Sequence, residues 1–272
     1  MTSQVIVFRV DFMYSHSMQD RSAREHVEVF HLLFLRLLTS APDRANYRVK
    51  GGCNLRFWLN SVRYSEDIDI DVVVTAKQTL KNKIDRLLAS APFLALLQTQ
   101  RLGIVVVSAP KQTETTQRWK VQLTAEGVAH HLHTKIEFSR RESSPGHAYE
   151  AVSAELARKY RVVAAMAHHY LADAATTQKI AALAGRVETQ ARDLFDLGLL
   201  FTSLGNAPLA LKAELKKDMP TAIERAMSIG YDDYAGQVVA YLEEEHRPLY
   251  ESRSAFEQLQ DNVVSRLQEL HK

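Results

Sequence analysis

Apolar and polar positions change their period along this chain. Residues 25–38 are apolar with polar breaks at helical spacing, and Pro42 follows, so a helix is predicted there. Residues 77–88 repeat the pattern, with apolar positions at 80, 84, 87 and 88. Elsewhere in the first half the period falls to two. Residues 68–74 (IDIDVVV) alternate and then become wholly apolar, 103–107 (GIVVV) are short and β-branched, and 119–123 and 132–138 alternate. Past residue 150 helical spacing returns, over 154–171, 177–184, 188–202 and from Pro220 to the C-terminus, with Gly185, Gly205 and Gly230 as stops. Between the two regimes, Ser143-Ser144-Pro145-Gly146 is the clearest linker signal. The expected architecture is α/β or α+β. A mixed-sheet domain occupies 1–145, and a mainly helical domain, 146–272, completes a cleft with it.

Composition narrows the class. A chain of 272 residues, 46% of them hydrophobic, can bury a sizeable core. A single cysteine, Cys53, excludes an internal disulfide framework and fits a reducing compartment. No apolar run approaches the roughly 20 residues that span a bilayer. The N-terminal MTSQVIVFRVDF lacks a basic start and is interrupted by Arg9 and Asp11, which makes it a poor secretory signal. A cytoplasmic protein with no membrane partner is expected. The formal net charge of +2 hides an asymmetry. Residues 1–150 hold 20 Lys/Arg against 15 Asp/Glu, whereas the remainder holds 14 against 17. A positive first half suits a polyanionic partner, and Arg36, Arg44, Arg48, Lys50, Arg56 and Arg63 crowd together in sequence there.

The densest chemistry lies in 49–74, VKGGCNLRFWLNSVRYSEDIDIDVVV. Lys50-Gly51-Gly52 is a turn where backbone can approach a ligand closely. A short helix over 53–59 would aim its first amides back at that turn, which makes an anion site. In the strand that follows, Asp67, Asp69 and Asp71 share a face and the isoleucines point the other way. Three neighbouring carboxylates repel, and folding does not require them. A divalent cation bound between them makes the arrangement favourable, and Mg²⁺ takes carboxylate and phosphate oxygens. A phosphate turn beside an Asp-x-Asp pair is what phosphoryl or nucleotidyl transfer needs.

Lys50-Gly51-Gly52-Cys53-Asn54-Leu55-Arg56 and Arg63-Tyr64-Ser65-Glu66-Asp67-Ile68-Asp69 together resemble the AbiEii/AbiGii nucleotidyltransferase toxins of the DNA polymerase β-like superfamily. The resemblance continues through Lys135-Ile136-Glu137, a Lys on a helix at Lys179, and Arg192-Asp193-Leu194-Phe195-Asp196-Leu197, covering about 47–200. It implies a polymerase β-like mixed sheet with flanking helices. It further implies two Mg²⁺ (or Mn²⁺) ions held by Asp67, Asp69 and Glu137, with NTP as substrate. Lys50, Gly51, Gly52, Cys53, Arg56 and Ser65 would serve the nucleotide's phosphates. Lys179 would act on phosphate or leaving-group charge. The implied acceptor is RNA, tRNA 3′ ends in some relatives, and a cognate antitoxin is the implied partner of the toxin. Two positions depart from the pattern. Cys53 stands where Thr or Ser is usual, and a thiol is the weaker donor. Glu137 stands where Asp is frequent.

Other readings of the same residues stay open. Asp71 is a reserve ligand. Asp193 and Asp196 could pair with Arg192, orient Lys179, or hold the base or sugar. His130, His131 and His133 match no closed zinc set, although His131 or His133 could touch nucleotide or acceptor. Cys53 has no paired base that would make it a nucleophile. Phe57 and Trp58 are expected in the core. Rival functions are transfer to a protein or small molecule, and a nucleotide-binding regulator whose transferase activity has lapsed.

Overall fold

The computed structural model describes residues 21–140, 146–205 and 207–272. The N-terminal stretch read above as a poor signal and Ser143–Pro145 of the expected linker lie outside those residues. Helix α1 (Ala23–Thr39) opens on a capping box, in which the Ser22 side chain accepts from the Glu25 amide and Glu25 reaches back to the Ser22 amide. It is apolar on nearly every side, and Phe30, Phe34, Leu35 and Leu38 are fully buried, so it runs through the core. A 3-10 turn then leads to β1 (Tyr47–Lys50), α2 (Gly51–Trp58) and β2 (Asp67–Val72). Next come α3 (Lys77–Leu88), α4 (Ala91–Thr99), β3 (Leu102–Gln112), β4 (Thr116–Ala125) and β5 (Leu132–Ser139). They are followed by β6 (His147–Ala151), α5 (Ala154–Tyr160) and β7 (Met166–Tyr170). Five helices complete the chain: α6 (Ala172–Gly185), α7 (Ala191–Leu204), α8 (Ala213–Ser228), α9 (Tyr231–Gln237) and α10 (Arg253–His271).

Among the described residues seven strands form one mixed sheet in the order β3-β4-β5-β2-β1-β7-β6. β2 runs parallel to β5 and β1 parallel to β7, and the other pairs are antiparallel. One apolar cluster, from Val27 to Ala167, packs α1, α3 and α4 on a face of this sheet. A second, from Ile180 to Leu267, lies within the C-terminal helices.

Three expectations are corrected. The helix expected over 154–171 ends at Tyr160, where Arg161 adopts a left-handed C-cap. The chain then extends, because the open side of β1 offers Met166–Tyr170 parallel backbone partners. Hence two strands beyond the expected linker belong to the same sheet as those before it. The helix expected to begin at Pro220 starts seven residues earlier and carries that proline inside α8. The C-terminal run is broken at Gly230 and again between α9 and α10.

Candidate active site

The middle of the sheet gathers the acids. In β2, Ile68 and Ile70 are fully buried, which leaves Asp67 and Asp69 on the opposite, open face. The parallel register sets Asp69 directly opposite Glu137 and Asp67 opposite Lys135. On β5 the burial alternates in the same sense, so His133, Lys135 and Glu137 share that open face, and His131 lies just before the strand. Burial, with Glu137 and Asp67 close by, pushes the Asp69 carboxyl above the usual carboxylate range against the pull of Lys50. The other two acids are held by cations of the sheet. Lys135 Nζ stands 2.7 Å from Asp67 Oδ2, and Arg118 Nε donates to Glu137 Oε2 at 2.7 Å.

The Gly-Gly turn closes on this triad. Gly51 adopts φ +65°, and a Cβ there would stand 2.7 Å from Asp69 Oδ2. At Gly52 a Cβ would stand 2.5 Å from Ser65 Oγ. Without those methyl groups, the N-terminus of α2 sits against the acids with no side-chain cap on its first amides. Ser65 Oγ donates to the Asp67 carbonyl at 2.8 Å and fixes the entry to β2. A cavity of about 200 Å³ forms between the turn, the acids and a ring of cations: Arg63, Arg118, Lys135, Lys179, Arg186 and Arg192. A wider one, about 530 Å³, opens beside it under α6, with Lys50, Gln178 and Lys179 against an apolar wall of Leu55, Ala175 and Ala181.

A buried ion-pair chain sets Lys179. Its Nζ lies 2.9 Å from Asp193 Oδ1 and 2.5 Å from Asp196 Oδ2. Asp193 also pairs with Arg186 and Asp196 with Arg63. Burial opposes the Lys179 charge, but the Asp196 and Asp193 carboxylates hold its pKa above the ordinary lysine value. Both aspartates are fully buried, so they face Lys179 and the arginines.

Asp67, Asp69, Glu137, Lys179, Gly51, Gly52 and Ser65 are thus brought together, and Lys50 lines the adjoining cavity. Asp71 is buried farther along β2, where Lys50 pairs with it at 2.5 Å and Tyr170 donates to it at 2.8 Å. Arg56 stands apart from the site. It is buried and bonded to Glu28 and Glu243, so it faces away from the phosphate turn. The Cys53 side chain also turns inward, donating toward the Asp67 carbonyl at 3.3 Å with His31 Nδ1 at 3.6 Å. Burial raises its thiol pKa well above normal, so it is neither thiolate nor phosphate donor, and only its backbone amide faces the turn. Arg118 and Arg186 were not legible beforehand. Arg118 meets Glu137 only through the β4–β5 register, and Arg186 only once α6 and α7 pack.

A family model described as "Nucleotidyl transferase AbiEii toxin, Type IV TA system" matches residues 33–262. No curated protein sequence matches the chain. Among solved structures, the fold is similar to JHP933 from Helicobacter pylori at TM-score 0.53 and 15% identity, over 92% of this chain and 95% of that one. It is also similar to MenT4, a nucleotidyltransferase toxin from Mycobacterium tuberculosis, at TM-score 0.50 and 15% identity, over 94% and 95%. At such identities the structural likeness speaks for the fold.

Proposed function

The chain belongs to the AbiEii nucleotidyltransferase toxin family of type IV toxin–antitoxin systems, and from that premise we propose a divalent-metal-dependent enzyme that moves an NMP unit from an NTP to an RNA hydroxyl, at a tRNA 3′ end. The observation that carries the reading is the pairing of Asp69 with Glu137 across β2 and β5, at the mouth of the α2 N-terminus. The donor set fits hard cations: three carboxylates on adjacent strands, one of them seated where Gly51 lacks a Cβ. Asp67, Asp69 and Glu137 would hold two Mg²⁺ or Mn²⁺ ions. When bound, such ions neutralise the triphosphate and acidify the attacking hydroxyl.

The chain's own groups do the rest. The first amides of α2 receive phosphate oxygens at Gly51 and Gly52, aided by the helix dipole. Arg186, Arg192 and Lys179 line the same cavity and offset charge on the leaving pyrophosphate. The apolar wall under α6 gives the base a surface, with Gln178 at its edge. The acceptor oxygen bonds to the α-phosphorus as the bond to the β-phosphate bridging oxygen breaks. Pyrophosphate departs with the electron pair, and the hydroxyl proton passes to the Glu137 carboxylate.

The test is incubation with labelled NTPs, Mg²⁺ and total RNA. Label in tRNA is expected, and Asp69→Asn should abolish it. Label confined to protein or to a small product would move the acceptor to that class. Tight NTP binding without transfer by the wild type would mean a lapsed enzyme. Co-expression with the adjacent gene product, and relief of any growth arrest, checks for the antitoxin partner.

A further inference from the structure

The open sheet face continues past the acids toward the β3 edge. Ser108 on β3 stands opposite Lys120 on β4, Lys120 opposite Lys135 on β5, and Lys135 opposite Asp67 on β2. At ordinary strand spacing the row runs roughly 14 Å from the sheet edge to the first metal-binding acid. Lysines set directly across a strand pair repel, and within the fold only Lys135 of the two has a carboxylate beside it among the described residues. Lys120 is exposed and has no acidic partner among the described residues. Asp67 offsets Lys135 only while that carboxylate is not serving a metal. The same holds for Arg118 and Glu137 in the neighbouring row. With the acids engaged, three cations would line this face together with Ser108, Gln122 and His133. They border a groove of about 540 Å³ that shares Asp67, Arg118 and Lys135 with the catalytic cavity. The cavity under α6 opens from the acids separately and contains none of these groove cations.

We propose that the row Ser108–Lys120–Lys135 is the track for the 3′-terminal phosphates of the RNA acceptor, entering from the β3 edge while the NTP occupies the cavity under α6. The inference rests on the RNA reading above. Of the sequence-adjacent cations, Arg56 and Arg63 are buried in ion pairs and are not available to such a track.

Transfer to a tRNA transcript is followed with the full chain over a range of KCl for the wild type, Lys120→Ala, Lys120→Glu and Lys216→Glu. Lys120→Glu should raise the KM for tRNA by about tenfold or more and leave the KM for NTP and the melting midpoint as in the wild type. Lys120→Ala should reduce the log–log salt slope of kcat/KM by about 0.7, the share of one single-strand phosphate contact. Lys216→Glu makes the same charge change on exposed α8 and should leave both readings unchanged. If the wild type labels tRNA but both Lys120 variants keep its KM and slope, the track is wrong and the RNA reading stands. If the wild type labels no RNA at all, the RNA reading fails and the track falls with it.

Discussion

At Gly52 a single methyl group decides whether the Gly-Gly turn can close on Ser65. Its Cβ would stand 2.5 Å from Ser65 Oγ, and Ser65 is already committed to the Asp67 carbonyl. Gly52→Ala should therefore cost about 1–3 kcal/mol in stability through overpacking. It should also raise the KM for NTP, which steady-state kinetics beside a melting curve will separate. Lys179 makes a different argument. Its ammonium group reaches the cavity only because Asp193 and Asp196 hold it there. Lys179→Met should lower kcat at saturating NTP by about 10²-fold, the scale of one transition-state charge contact. The acids and glycines were legible because each breaks a local rule. Like charges crowd one strand face, and the turn lacks side chains. The directions of the Cys53 and Arg56 side chains were not legible, because sequence adjacency to a Gly-Gly turn does not say which way a helical side chain points. On α2, both turn inward to buried partners.

At the scale of elements, that inward turn serves a purpose. Arg56 on α2 donates to Glu28 of α1, to the Ser61 carbonyl and to Glu243 near the C-terminal helices. Lys159 of α5 joins Glu243 at 3.0 Å, and Tyr160 donates to Glu28 at 2.6 Å. The cluster ties four separate segments together beneath the site. Arg56→Met strands Glu28 and should cost about 3–5 kcal/mol in denaturant unfolding. The folded fraction should keep its KM for NTP; a large rise would return Arg56 to the phosphate. The sheet itself was legible in part. Period two marked β2, β4 and β5, whereas β7 read as helix. In MAHHY the local propensity is indifferent, and the choice is made by the vacant hydrogen-bonding side of β1, whose Arg48 pairs with His168 from 120 residues away in sequence, beyond any local pattern.

For the molecule as a whole, acid should be the vulnerable direction. Burial depresses the His31 pKa to about 3, while unfolding restores it toward 6.5. The unfolded state therefore takes up a proton that the native state refuses, and stability falls as pH drops through that interval. Ion pairing holds Glu243 and Asp193 near 2, so their contributions are lost lower still, as pH falls from the ordinary carboxylate range toward that value. Unfolding free energy measured from pH 7 to pH 3 should decline steadily, and His31→Gln should flatten its upper part. A profile rising toward acid would contradict the burial of these groups. The small net charge of the chain was a poor guide at this scale, because burial removes Arg56 and Arg63 from the surface that a partner meets.

If Asp67 and Glu137 hold divalent ions as proposed, the cations already seated on them give the site a set point. An incoming ion does not find bare carboxylates; it must evict an ammonium or a guanidinium group that the sheet holds in place. Occupancy would then be a competition, with half-saturation at a higher free-ion concentration than the acids alone would require. Because the Lys135 pair is partly exposed, the handicap is modest. Calorimetric Mn²⁺ titration of Lys135→Gln, without RNA, should show affinity improved by about two- to fivefold. A protein poised in this way would idle when divalent ions are scarce and engage as they rise, so its activity would follow the ionic state of the cell as well as the supply of nucleotide.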